Sequence, residues 1–267
     1  MGGEVECLER LSSLSNKNLI AVNIGSYGRY RDGAYAHLEQ IGVHHVEMGV
    51  PSAENVDLLQ SRLADFGLSV STLQCPCDLT VDPETMRPHL AVGQAMGVKI
   101  FFISVKAGDA MSKPEAYRRL RARAELASEH GIILSMETHP DLGENFIEAR
   151  ATLHAVAHPN LRWNIDTANL YYYNANCDAV EQATKGAAFI ASVHLKDTNG
   201  ARHCWWFPAL GEGVVDFAGV FAALVAKGFS GPYTLELEGV EGRPLDEAGT
   251  QKQVADSIQH LRTIGVF

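Results

Sequence analysis

Cysteine is scarce in this chain and positive charge is outweighed. Among 267 residues there are five cysteines, at positions 7, 75, 77, 177 and 204. An odd, scattered set in a chain of this length excludes a disulfide framework and reads as reduced intracellular thiols. Cys75-Pro-Cys77 has one intervening residue where a zinc knuckle usually has two, so these thiols read as incidental. Lysine and arginine number 22 against 32 aspartates and glutamates, a net charge of −10. With no Lys/Arg run to offset it, such a surface repels phosphate backbones and anionic membranes and suits small neutral ligands. No stretch approaches the roughly 20 apolar residues of a membrane span. The opening Met1-Gly-Gly-Glu-Val-Glu6 is acidic and lacks the apolar core of a signal peptide. These absences lead us to expect a soluble, cytoplasmic protein with neither nucleic-acid nor membrane partners.

What is abundant is apolar sequence, 46% of residues, enough for a substantial core. It falls into short runs that alternate with helical periodicity. Strands are expected at 18–24, 45–48, 68–73, 98–105, 132–136, 161–165, 189–195 and 233–237. Helices are expected between them at 34–41, 53–66, 83–96, 112–130, 145–157, 177–185 and 216–227, with an eighth at 247–263. Ser112-Lys-Pro-Glu115 has the form of a capping box, and most helices close on a glycine before the next strand. Eight strands alternating with eight helices, with no linker dividing them, point to one (β/α)8 TIM barrel over residues 1–267. A doubly wound open sheet is the competing architecture. The barrel is favoured because chemical residues recur at the carboxyl ends of its strands.

Those residues are Glu137, Asp166, His194 and Glu236, each directly after an apolar run. They end the fifth to eighth strands, which are neighbours in a barrel, so their side chains can converge at one side of its mouth. Three carboxylates and an imidazole suit a hard or borderline divalent cation, and acids so close would raise one another's pKa without one. Glu238 shares a strand face with Glu236 if the strand continues, but Glu236 is preferred because it directly ends the apolar run.

At this point the chain resembles the xylose-isomerase-like barrel superfamily of sugar isomerases and epimerases. The resemblance rests on Met136-Glu-Thr-His139, Asn164-Ile-Asp-Thr-Ala-Asn169, Val193-His-Leu-Lys-Asp197, Leu210-Gly-Glu-Gly213 with Asp216 beyond, and Leu235-Glu-Leu-Glu238. It covers nearly the whole chain without selecting one member among ketohexose 3-epimerases, hydroxypyruvate isomerase, inosose dehydratase and endonuclease IV. The resemblance implies Glu137, Asp166, His194 and Glu236 as ligands of one divalent ion. Mn2+ is the leading candidate, with Mg2+, Co2+ and Zn2+ as alternatives. It further implies Glu137 and Glu236 as proton carriers on opposite faces of a sugar. A cation holding the carbonyl and a neighbouring hydroxyl would stabilise the enediolate formed when a carbon-bound proton leaves. Many members carry a histidine where this chain has Asn169, which argues against multinuclear zinc chemistry.

Substrate contacts are expected from His139, Asn169, Lys196 (to neutralise a developing oxyanion), Arg202, Trp206 and Glu47, with a structural ion pair as the other role for Glu47. Residues 197–215 are too long for a simple connection. Their aromatics Trp205-Trp-Phe207 suit either a lid over a sugar or the contact face of a homo-oligomer, whereas Tyr171-Tyr-Tyr173 reads as packing. The leading function is a metal-dependent isomerase or epimerase of a sugar or polyol ketone. The alternative is a lyase using the same enolisation, either an inosose-type dehydratase or a C-glycoside deglycosidase. A nuclease and a non-catalytic sugar-binding barrel are disfavoured. Phosphorylated substrates are disfavoured too, because no glycine-rich helix start with nearby Lys/Arg follows the seventh or eighth strand.

Overall fold

The computed structural model describes residues 18–108 and 111–267. The expectations for Cys7 and the opening residues lie outside the described residues. Eight parallel strands close into a barrel: β1 (Ile20–Asn23), β2 (His45–Gly49), β3 (Ser69–Gln74), β4 (Ile100–Ile103), β5 (Ile133–Met136), β6 (Leu161–Asp166), β7 (Ile190–Leu195) and, after a short excursion, β9 (Tyr233–Leu235). Closure is made by β9, which pairs with β7 on one side and β1 on the other. The open sheet is thereby ruled out. Helices pack outside: α1 (Ala34–Gln40), α2 (Val56–Asp65), α3 (Arg87–Ala95), α4 (Lys113–Glu129), α5 (Phe146–Val156), α6 (Asn169–Tyr173), α7 (Ala179–Gly186), α8 (Phe217–Val225) and α9 (Glu247–Thr263).

Local chemistry accounts for most helix starts. Ser112, Asn145, Asp178, Asp216 and Asp246 each cap a helix by accepting a backbone N–H from its first turn. The expected stop at Gly186 has a different cause. Its backbone is ordinary (φ −87°), and a Cβ there would lie 2.6 Å from Trp163 Cζ3. Gly186 is therefore the point where α7 closes on a fully buried tryptophan of β6.

Four departures from the sequence reading bear on the site. Residues 24–33 form a 3-10 stretch instead of an open loop. The expected helix at 83–96 begins with a separate 3-10 turn, Pro83–Met86. Tyr171 to Tyr173 belong to a short helix, α6, directly after β6. Within 197–215 lies β8 (Trp206–Phe207), which pairs antiparallel with β10 (Gly239–Val240) beyond β9. Two residues carry too little periodicity to be seen in sequence; the pairing partner defines the strand.

Side chains two residues before the strand-end groups occupy the same face. Beneath the mouth this gives Ser135, Asn164, Ser192 and Thr234, all fully buried. Ser135 Oγ and Ser192 Oγ are 2.7 Å apart, and Asn164 Nδ2 donates to Ser192 Oγ at 2.8 Å. A small polar layer thus supports the cluster above it. The apolar core lies between the barrel wall and the helices.

Candidate active site

The register brings Asp166 beside His194, and His194 beside Thr234, two residues before Glu236 on the last barrel strand. One donor atom from each of Glu137, Asp166, His194 and Glu236 lies within 4.8 Å of all the others. Glu238 stands outside this set; its Oε2 accepts from Lys196 Nζ at 2.7 Å.

Each donor is held by a separate device. Asp166 Oδ1 accepts the backbone N–H groups of Ala168 and Asn169, both at 2.9 Å. Its Oδ2 lies 2.9 Å from Lys196 Nζ but in an alignment that makes no hydrogen bond, and this buried oxygen has no other partner. His194 is clamped from both sides. Nδ1 is 3.1 Å from Glu236 Oε2 and Nε2 is 3.0 Å from Glu47 Oε1. Phe102 stacks on its ring at a centroid distance of 4.4 Å. Asn23 Nδ2 reaches both Glu47 Oε1 (3.2 Å) and Glu236 Oε1 (3.1 Å). Glu137 Oε1 accepts from Asn169 Nδ2 at 3.3 Å, and His139 Nδ1 lies 2.9 Å from its Oε2. Ser104 Oγ in turn meets His139 Nδ1 at 2.8 Å.

Burial and charge pull these groups in opposite directions. Burial raises the carboxyl of Asp166, with Lys196 acting against it. Burial would also raise Glu236, but the adjacent His194 and Lys196 overcome it and hold the carboxyl well below its usual range. For His194 burial acts downward, and the flanking Glu236 and Glu47 override it, keeping the imidazole well above its ordinary value. Lys196 follows the same rule: burial opposes its charge, and Asp166, Glu236 and Glu238 restore it.

The donor set fits a divalent cation. Asp166, Glu236 and Glu238 each lie within 2.9 Å of the Lys196 ammonium and Glu137 joins the donor set, so carboxylates outnumber cations in a buried place. Asp166 Oδ2, buried beside the Lys196 ammonium without a hydrogen bond, is an oxygen that a bound cation could also engage. Behind His194, the fully buried Glu47 stands where a carboxylate orients a ligating imidazole through its second nitrogen.

Beside the cluster lie two adjoining pockets, an inner and an outer lobe, that share Trp205, Glu236 and Glu238 in their linings. The inner lobe, about 260 Å³, is bordered by Glu137, His139, Asn169, Lys196, Tyr173 and Phe207 among others. Three expected substrate contacts lie elsewhere. Glu47 has no exposed surface and faces His194. Arg202 is exposed on its loop, bordering neither lobe, with Nη2 3.4 Å from His203 Nε2. Trp206 borders neither lobe, whereas its neighbours Trp205 and Phe207 do. Alternation along β8 explains this, since successive side chains leave a strand on opposite faces. Residues not anticipated are Asn23, Phe102 and Ser104, and Tyr173, expected to serve packing, borders the inner lobe. Asn23 and Ser104 stand at the carboxyl ends of β1 and β4, so the position that singled out the four donors would have found them too.

The sulfur chemistry lies apart. Burial pushes the thiols of Cys75 and Cys77 up to about 12 and that of Cys177 to about 11, so they stay protonated and inert.

With this geometry in view, the chain was compared with known proteins. The sequence profile of the xylose isomerase-like TIM barrel family matches residues 35–264. The chain belongs to that family. Among curated members, L-ribulose-5-phosphate 3-epimerase UlaE of Escherichia coli is 29% identical over 164 residues, 58% of this chain and 55% of the relative. The chain thus spans about half the length of the curated relatives it matches. Solved structures of like fold include D-allulose 3-epimerase from Methylomonas sp. in complex with D-allulose (TM-score 0.73, 19% identity, 92% of this chain and 97% of that one). Another is D-psicose 3-epimerase from Clostridium cellulolyticum H10 with D-tagatose (TM-score 0.74, 12% identity, 92% and 98%). Among the described residues no helix is long and apolar enough to cross a membrane.

Proposed function

We propose that this barrel is a sugar epimerase or isomerase that moves a proton on the carbon beside a ketone, using one divalent cation held by Glu137, Asp166, His194 and Glu236. The observation that carries the reading is the convergence of these four donors, one atom of each lying within 4.8 Å of all the others. Similarity to ketose 3-epimerases in fold, and to a ketose-phosphate 3-epimerase in sequence, supports it. Mn2+ is the leading ion, and it would supply Lewis-acid polarisation of the ketone and a neighbouring hydroxyl.

The chain's own residues supply the rest. Glu236, kept ionised by His194 and Lys196, takes the carbon-bound proton. Glu137 returns a proton, held in line by His139 and Asn169. The Lys196 ammonium, 5.2 Å from the centre of the Phe207 ring, offers positive charge to the developing enediolate oxygen. Trp205 and Phe207 cover the sugar and keep water from the enediolate. A reducing compartment such as the cytoplasm suits the inert thiols, and assembly into a homo-oligomer is compatible with this arrangement.

The test is incubation of the Mn2+-loaded protein with a panel of ketoses in deuterated water. Deuterium should enter the carbon beside the ketone, with an epimer or isomer as product. A dehydrated or cleaved product with the same exchange would assign the lyase chemistry instead. No exchange with any ketose would sink the proposal.

A further inference from the structure

The outer lobe of the cavity has a charge pattern that the reading above does not use. It measures about 600 Å³, more than twice the 260 Å³ inner lobe. Its acidic lining residues, Glu236 and Glu238, stand at the junction with the inner lobe. Its cationic lining residues are Arg29, from the 3-10 stretch after β1, and Arg243, from the turn after β10. Two loops distant in sequence thus each bring an arginine to the lining of this lobe. Neither guanidinium forms an ion pair or hydrogen bond among the described residues; Arg29 only lies over the Tyr30 ring, 5.1 Å from its centroid. Other arginines, such as Arg87, Arg118 and Arg119, are engaged by carboxylates.

We propose that the outer lobe is a subsite for an anionic end of the substrate, so that the preferred ketose carries a terminal phosphate monoester or carboxylate. The inference rests on the sugar-epimerase reading and narrows its substrate class. Guanidinium forks match both oxyanions in geometry. The polarity of the cavity fits such a molecule. Its neutral polyol head would meet the acids shared with the inner lobe, and its charged end the two arginines of the outer one. The overall charge of −10 repels anions at long range, so local cations are needed to admit one. No glycine-rich helix start takes part, which is why a sequence reading confined to that motif misses the site.

The experiment uses the full chain loaded with Mn2+. Dissociation constants are measured by calorimetry for L-ribulose, L-ribulose 5-phosphate and a ketohexose ending in a carboxylate, with wild type and the Arg29→Gln, Arg243→Gln double variant. Both arginines are exposed, and circular dichroism confirms the fold of the variant. Wild type should favour at least one charged ketose over the neutral one by about tenfold or more, and the double variant should lose that ratio. Whether the phosphate or the carboxylate gains identifies the oxyanion. In parallel, inorganic phosphate should raise the Tm of wild type and not that of the variant. Equal affinities for charged and neutral ketoses, a preference that survives in the double variant, or no phosphate effect on wild type overturns the subsite. Deuterium exchange is scored separately. A charged preference without exchange leaves the subsite and removes the epimerase reading, and exchange without a preference does the reverse.

Discussion

At the scale of single residues, the cluster separates into groups that face the cavity and groups that hold them. Glu137 and Glu236 do both, since each borders the inner lobe and contributes a donor atom. We predict that Glu137→Gln and Glu236→Gln each lower kcat by about 10²–10⁴-fold, the contribution of a positioned base, while some metal is retained. Near-native turnover in either variant would remove that residue from proton transfer. Glu47 makes a sharper case because no substrate can touch it. It has no exposed surface, and its carboxylate meets His194 Nε2 and accepts from Asn23 and Gln74. Glu47→Gln should weaken Mn2+ binding by about 10–100-fold, as loss of a carboxylate behind a ligating imidazole does. The measurement is calorimetric metal titration. Unchanged affinity would leave Glu47 as a packing residue only.

At the scale of elements, residues 197–215 decide how the cavity is walled. Asp197 organises the segment: Oδ2 accepts from Gly211 and Gly213, both at 2.8 Å, and Oδ1 accepts from Thr198 (2.9 Å) and Val215 (3.2 Å). Gly213 must stay small, because a Cβ there would sit 2.2 Å from Thr198 O. This accounts physically for the Leu210-Gly-Glu-Gly213 motif as the closure of a loop around one carboxylate. Trp205 projects from it to both lobes, with Nε1 donating to Glu238 O at 3.3 Å. Trp205→Ala should therefore raise KM several-fold with the oligomeric state unchanged, and Trp206→Ala should leave KM near the wild-type value. Steady-state kinetics with light scattering checks both. A change of assembly in Trp205→Ala would make it an interface residue instead.

At the scale of the molecule, the eight barrel strands were legible because most are short apolar-rich runs between turn signals, Ile100–Ile103 the clearest, as expected of strands covered on both faces. Most of their ends shift by one or two residues, where pairing with neighbours overrides local pattern. The strand-end position also pointed to the four donors, because barrel closure turns adjacency in strand order into adjacency in space. What stayed hidden depends on partners far along the chain. Glu47 meets His194 across the barrel, Asn23 links Glu47 to Glu236, and Arg29 and Arg243 reach one lobe from opposite ends of the sequence. Facing was hidden too, since β8 was not visible and Trp206 could not be told from Trp205. For the whole fold, we predict that chelation of the metal lowers Tm and abolishes turnover together, and that Mn2+ restores both. A ligand at about 100 times its Kd stabilises by about 2.7 kcal/mol. A Tm indifferent to chelator and to added Mn2+ would separate the cluster from cation binding.

The pairing of β8 with β10 ties the segment after β7 to the segment after β9. Gly239 pairs with Phe207 and Val240 with Trp206, Glu241 donates its N–H to Trp205 O at 3.0 Å, and the Trp205 indole donates to Glu238 O. Two connections that would otherwise fluctuate separately are laced into one shutter, and a substrate that displaces either must displace both. Hydrogen–deuterium exchange should therefore find the ladder amides of residues 206–207 and 239–241 opening at a common rate, slowed together when a ketose binds. If exchange in the two segments is uncorrelated, access to the barrel mouth is controlled by two independent flaps.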